Sequence, residues 1–518
     1  MTEWLVLLPL IITTVFGFLL IALTFALRRR RQRLADVALV GLLVALFLSL
    51  DMAGLGLLER MGLVLWQAPV SQQLPALMLE VTPFVLFFWV VLLLAGVIIV
   101  LASRSYLEKT DRNIGEYYGL LFLALVGMLL VAAATDLFVL YLAFEMASLA
   151  TFALAAFRKK DKRSTEAAMK FFIIGVVSSA IILFGLSLIY GVSAHVLSQL
   201  PPQAGSPPAT NLRFLGLAMP LGLVQFEPVI ALGLVLLIAG FGFKVATVPF
   251  HMWVPDVYDG APTTVTTFLS TASKIMGFAA LFKIFLLALV GTAGQWALAL
   301  GILAIATMTL GNVAALPQKS VKRMLAYSSI AHAGYVLIAV VVGSHQVPAI
   351  AAFGLAGGLY HLLVYVFMQG GAFIFVAMTA TLLIGERLDD YSGLAKRMPL
   401  LAFAMMIMLL SLAGIPPLGG FVSKFILFWS AVQAGLVPGS EWMVTLAVAG
   451  VLNSALSLFY YARVIKHMYI LEGPSEPVKV PVPYTVSLWV AVIGTVATGV
   501  FAFFFIDFVT QAAAFFFA

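Results

Sequence analysis

Residues 398–437 read MPLLAFAMMIMLLSLAGIPPLGGFVSKFILFWSAVQAGLV, an apolar run whose only charged side chain is Lys424. A straight helix of that length would extend about 60 Å, twice the ~30 Å thickness of a bilayer's hydrocarbon core. The middle of the run is Gly414-Ile415-Pro416-Pro417-Leu418-Gly419-Gly420. Adjacent prolines remove helix donors and clash with the preceding turn, so the segment breaks or tilts strongly. Broken backbone at membrane depth survives only where protein buries it or a wet cavity adjoins it. The run 348–383 is also too long for one upright span and carries the same expectation. Gly242-Phe243-Lys244-Val245-Ala246-Thr247-Val248-Pro249 is a second break signal.

The rest of the chain fits a lipid solvent. Of its 518 residues 63% are hydrophobic and 10% charged, against about half and a quarter in soluble domains. Absence of Cys excludes disulfides, iron–sulfur clusters and thiolate metal sites. The six His are scattered without metal-ligand spacing, and there is no Walker A, no dinucleotide-binding GxGxxG and no GxSxG elbow. No metal site, redox cofactor or nucleic-acid partner is expected in this chain. Apolar segments begin near Trp4, Val37, Ala76, Gly115, Asp136, Thr165, Glu227, Ala261, Gln295, Lys322, Pro348, Met398, Trp442 and Thr485, predicting an all-α polytopic membrane protein of about fourteen helices. With the N-terminus outside, alternation places 22 of the 29 Lys and Arg in inside loops and leaves only Arg60 and Arg213 in outside ones. That asymmetry supports the count and puts both termini on the outer side. The inside loops on this reading include 249–260, and the longest outside loop, about 192–226, is a Pro/Gly-rich connector.

Helices 4–8 (115–290) and 9–13 (291–470) are two runs of five, each with a break beside a Lys in its fourth member, Lys244 and Lys424. An odd number per run gives the two opposite topology, as in inverted repeats that hold ion sites near the midplane. Helices 1–3 (1–114) precede them, and a loop with helix 14 (471–518) follows. Glu145, Lys244, Lys274, Lys424, His332 and His361 all fall within spans, where ionisable groups are costly and mark pathways by default. Burial makes the charged form of Lys or Glu expensive, so either can exchange a proton at modest cost, whereas Arg stays charged. Glu145 and Lys244 can also be read as a static ion pair, and either His as satisfying a polar neighbour. Lys283, near the end of helix 8, and Lys170, near a basic loop, read as snorkelling side chains. His251 and Asp256 read as a capping and solvation cluster, and Asp51 and Glu80 have no assigned role. An acid at position 424 is expected to replace its lysine better than an apolar residue, since an acid can still carry a proton.

Several motifs resemble the N-type antiporter-like membrane subunits of complex I and related complexes: Phe243-Lys244, the run Pro249 to Pro262 (PFHMWVPDVYDGAP), Thr271-Ala272-Ser273-Lys274, Lys322 to Ile330, and Ala413 to Pro417 with Phe421 to Phe425. The resemblance covers about 115–470. Pro-Asp-Val-Tyr and Lys424 favour the N type over the alternative, a subunit of an Mrp-type cation/proton antiporter. It implies a non-redox, proton-translocating subunit of a proton-translocating oxidoreductase. Iron–sulfur clusters, flavin and quinone would sit in partner subunits, and other antiporter-like subunits in the same bilayer would be neighbours. Glu145 would modulate Lys244, Lys274 would be the central relay, Lys424 would serve the exit, and His332 and His361 would lie on the hydrated axis between. An inert scaffold is a further rival, opposed by Glu145 and the three lysines.

Overall fold

The structure, a computed structural model, describes residues 4–27, 31–61, 65–66, 69–110, 113–199 and 208–517. Among these, thirteen helices are long and apolar enough to cross a membrane. They are helix 1 (Leu5–Ala26), helix 2 (Arg33–Leu55), helix 3 (Pro83–Glu108), helix 4 (Ile114–Ala133), helix 5 (Leu137–Ala155), helix 6 (Lys162–Gln199), helix 7 (Leu212–Val245), helix 8 (Thr263–Ala288), helix 9 (Val290–Ala315), helix 10 (Val321–Gly343), helix 11 (Pro348–Thr381), helix 13 (Glu441–Tyr469) and helix 14 (Val482–Val500). Helix 12 is the fourteenth and is broken, as Pro399–Ala413 and Gly419–Gly435. The chain is a multi-pass all-α membrane protein.

Some boundaries differ from the sequence expectation. Helix 7 starts at Leu212 rather than near Glu227. It keeps Pro220 and Pro228 inside and bends at Phe226 (φ −121°, ψ 25°), and with helix 6 running to Gln199 most of the expected outside connector, 192–199 and 212–226, is helical. Pro201, Pro202, Gly205 and Pro207 lie outside the described residues. Helix 3 starts at Pro83 rather than near Ala76, because 72–81 folds into an antiparallel hairpin of β1 (Gln72–Leu74) and β2 (Leu79–Val81), with Gln73 opposite Glu80. Residues 249–260 are not a plain loop: Trp253–Gly260 is a short helix that buries Trp253, Val254, Pro255, Val257 and Tyr258. Helix 11 runs its 34 residues without a break.

The hairpin and its neighbours define one face of the bundle. Leu79 bridges to Ala134 and Asp136 to Asn211, tying the hairpin to the ends of helices 4, 5 and 7. The C-terminal helix Ala502–Ala514 docks nearby, with Phe508 against Phe87 and Phe515 and Phe516 against Phe84. The opposite face carries the basic turns and the Ser320–Arg387 bridge. Asp51, buried at the end of helix 2, accepts from the Trp66 indole and the Leu58 N–H at 2.9 Å each, which makes it a local tie of the hairpin-side loop.

Burial ranks the helices. The apolar window of helix 11 is wholly buried and that of helix 7 only 28%, so helix 7 lines the rim and helix 11 the axis. Helices 8 and 10 pack around that axis, nearly as buried as helix 11. Lys274, His332 and His361 therefore occupy the innermost helices, far from any lipid-facing surface.

Candidate functional site: a buried line of lysines, histidines and serines

Both breaks use one backbone solution. Helix 7 ends where Ala246 turns left-handed (φ 67°), its N–H capping the Gly242 and Phe243 carbonyls. The first half of helix 12 ends where Gly414 does the same (φ 89°), capping Leu410 and Ser411. Each left-handed residue is followed three positions later by a proline in a cis bond, Pro249 and Pro417. Glycine takes that conformation freely, whereas Ala246 holds it at a cost of about 1 kcal/mol. At Gly420 a Cβ would stand 1.8 Å from the Ser411 carbonyl oxygen, so only glycine lets the two halves of helix 12 approach this closely.

Lys244 lies two residues before the first break, with only 4% of its surface exposed. Its Nζ donates to Ser148 Oγ at 2.7 Å and stands 5.0 Å from the centre of the Phe144 ring. Glu145 is only partly buried, and its Oε1 accepts from Ser179 Oγ at 2.5 Å. The ion pairs of the described residues do not include Glu145 with Lys244. Ser148, one turn along helix 5, stands at the lysine instead. The static-pair alternative does not fit this geometry. Helix 8 passes close by: Gly277 approaches the Lys244 side chain, its position for a Cβ 3.5 Å from Lys244 Cγ. Gly277 is one turn from Lys274.

Lys274 opens an α-helical segment, Lys274–Lys283, that follows a π-helical turn at Leu269–Ser273. Such turns recur at functional sites. Its Nζ donates to the Ser329 carbonyl at 2.5 Å and to Ser329 Oγ at 2.6 Å, and Tyr365 Oη donates to the same Oγ at 2.9 Å. One turn further along helix 10 is His332. Its Nδ1 lies 3.0 Å from Nε2 of His361, whose Nδ1 lies 3.0 Å from Ser423 Oγ. The next residue, Lys424, turns back across the break: its Nζ donates to Leu412 O at 2.7 Å, Ala413 O at 3.3 Å and Ser454 Oγ at 2.9 Å. It also stands 4.8 Å from the centre of the Tyr335 ring. Thus Lys274–Ser329 and His332–His361–Ser423 are two bonded stretches of one buried line, separated by the single turn from Ser329 to His332, with Lys424 next to Ser423 in the chain but bonded across the break.

Among the other charged residues, Lys283 departs from the sequence reading. Lys283 does not snorkel: it is fully buried and ion-paired at 2.8 Å with Glu80, itself 2% exposed. Lys170 stays at the surface, paired with Glu166 at 2.9 Å and Asp256 at 3.0 Å. Asp256 also pairs with Arg323 at 3.1 Å. Partial burial pushes the Asp256 carboxyl up, but the bonds and charges of Lys170 and Arg323 outweigh it and hold it below the usual carboxylate value. Partial burial lowers the His251 imidazole. Serines 148, 329, 423 and 454 and Tyr365 did not stand out in the sequence. The available signals were helical spacing from Glu145, adjacency to Lys424, and position within the Lys322–Ile330 motif.

These features define a class: a polytopic membrane protein with two helices broken alike and a mid-span file of protonatable side chains. Residues 134–457 match the family model described as NADH:quinone oxidoreductase/Mrp antiporter, TM. The chain is 42% identical to F(420)H(2) dehydrogenase subunit N of Methanosarcina mazei, over 99% of both proteins. It is 38% identical to NADH-quinone oxidoreductase subunit N of Trichlorobacter lovleyi, over 98% of this chain and 96% of that one. A chain of respiratory complex I from Thermus thermophilus superposes with a TM-score of 0.73 at 29% identity, covering 96% of this chain and 98% of the other. The chain belongs to the N-type antiporter-like membrane subunits of complex I and related complexes.

Proposed function

We propose that this chain translocates protons as a non-redox subunit of a complex I-like oxidoreductase, along Lys244, Lys274, His332, His361 and Lys424. The observation that supports this most directly is the centre of the file: Lys274, His332 and His361, each 2.5–3.0 Å from a polar neighbour, on helices 8, 10 and 11, the most buried of the spanning helices. A file of weakly basic groups joined by hydroxyls is what stepwise proton exchange requires, since each member can donate and accept in turn. Glu145 lies one turn from Ser148, the residue that holds the Lys244 ammonium, and acts on Lys244 through its charge. Lys274 holds the central position, the two imidazoles relay, and Lys424 stands at the exit beyond the second break. Free carbonyls at the end of a half-helix favour a cation there, and Leu412 and Ala413 supply them to Lys424.

The excess of basic residues on one face orients that face to the inside and both termini to the outside of the cell or inner membrane. Redox groups reside in partner subunits, and the neighbours in the bilayer include other antiporter-like subunits. The high identity to N subunits favours this reading over an Mrp-type antiporter subunit. Lys274→Met in the assembled complex, reconstituted in vesicles with its electron donor, should lower proton uptake per electron to about a tenth. Wild-type uptake in that variant would refute the path.

A further inference from the structure

The file leaves one buried pair unused. Lys283 ends the helical segment that Lys274 begins, nine residues or about 14 Å along helix 8 towards the hairpin face. The eight residues between, Ile275 to Phe282, are apolar or glycine and all buried, so nothing on that segment passes a proton from one lysine to the other. Lys283 Nζ donates to Glu80 Oε1 at 2.8 Å and to the Ala134 carbonyl at 2.7 Å, and it stands 5.9 Å from the centre of the Phe84 ring. The second oxygen of Glu80 accepts from Gln73 at 2.9 Å. Both partners are satisfied, both are inaccessible, and Glu80 is carried by the hairpin that closes this face. A buried ion pair is often no more stabilising than apolar residues of the same volume, so stability alone is a weak reason for it. A closed pair whose donors and acceptors are all taken up by neighbours leaves no free polar group for a proton to hop through at this end. The other run of five helices ends differently. Lys424 borders a cleft of about 430 Å³ lined by Phe421, Phe425, Trp429 and Leu458, and among the described residues no ion pair closes that end.

We infer that the Glu80–Lys283 pair is a seal that shuts the first run of helices against the hairpin face, so that a proton at Lys274 can leave only along the file to Lys424. This rests on the proton path proposed above. The test uses the assembled complex in vesicles without electron donor, under a potassium diffusion potential, with inward or outward proton leak read by a trapped pH dye. Glu80→Gln removes one charge. Glu80→Asp keeps both charges and withdraws the carboxylate by one methylene, so it tests the contact even where Glu80→Gln does not assemble. Each should raise passive proton conductance about tenfold, and adding Lys274→Met to Glu80→Asp should return it to the wild-type level. Wild-type tightness in Glu80→Asp would overturn the seal. A leak that survives Lys274→Met would overturn it too, since it would come from a loosened bundle rather than from the file. Donor-driven pumping in Lys274→Met alone reads the path separately from the seal.

Discussion

Replacing Lys424 separates a residue that carries a proton from one that also has to donate hydrogen bonds. All the oxygens around its Nζ are neutral acceptors: Leu412 O at 2.7 Å, Ser454 Oγ at 2.9 Å and Ala413 O at 3.3 Å. Hydrogen bonds to a charged group contribute about 1.5–3 kcal/mol each, so the two short ones stabilise the loaded ammonium by about 3 kcal/mol at the lower end. That corresponds to roughly a hundredfold in the population of the loaded state. A glutamate at this position is acceptor-only when ionised and brings oxygens against oxygens; when protonated it supplies one donor. The geometry therefore reverses the sequence expectation. Lys424→Glu should pump no better than Lys424→Leu, both at a few per cent of wild type given that hundredfold. The assay is proton uptake per electron in reconstituted vesicles, with the variants matched for assembled complex. Substantial pumping by Lys424→Glu, with Lys424→Leu inactive, would refute the reasoning and show that the carbonyls are not decisive.

Lys244→Ala and Lys244→Arg should both assemble yet lower pumping about tenfold or more, because Arg does not release its proton; normal pumping by Lys244→Arg would exclude a lysine that must lose its charge. Glu145→Gln should also impair pumping, and Ser148→Ala, which removes the 2.7 Å partner of Lys244, should fall between it and wild type. Gly420→Ala should separate the halves of helix 12 and cost about 1–3 kcal/mol of stability, read as a lower melting temperature of the purified complex; an unchanged one would contradict the 1.8 Å approach. Because Asp256 titrates below its ordinary value of 3.8, its ion pairs stabilise the fold fully above that value and cease to do so as pH falls through the lowered one. Asp256→Asn should thus be less stable than wild type at pH 7, the gap closing below pH 3.8; a gap that widens in acid would reverse the sign.

Much of the fold was legible because lipid imposes a simple rule on composition. Apolar runs of spanning length gave the helices, and Gly/Pro clusters gave both breaks. Proline was the weaker guide elsewhere. Pro220 sits inside helix 7, which bends at Phe226, so the stretch that holds it read falsely as connector. The hairpin was invisible, its strands of three residues being too short to show alternation. Mid-span charges identified the lysines and histidines, since no local structure explains a charge in lipid. They did not reveal that Glu145 and Lys244 each bond a serine, Ser179 and Ser148, rather than each other, because hydroxyls are common in helices and bond the preceding turn. The Glu80–Lys283 pair was the largest omission: its partners lie 203 residues apart, and nothing in either neighbourhood points to the other.

Helix 11 has a mechanical consequence. It is continuous over 34 residues, buried throughout its apolar window, and carries His361 and Tyr365 one turn apart on the same face. A rod without a hinge cannot alter the spacing of the groups mounted on it. What can flex are the pieces around it: helix 8, interrupted by π-turns on either side of its two lysines, and helix 12, cut in two at Gly414. Helix 11 is in this sense a stator, a fixed rail against which any shift of the jointed helices would have to be made.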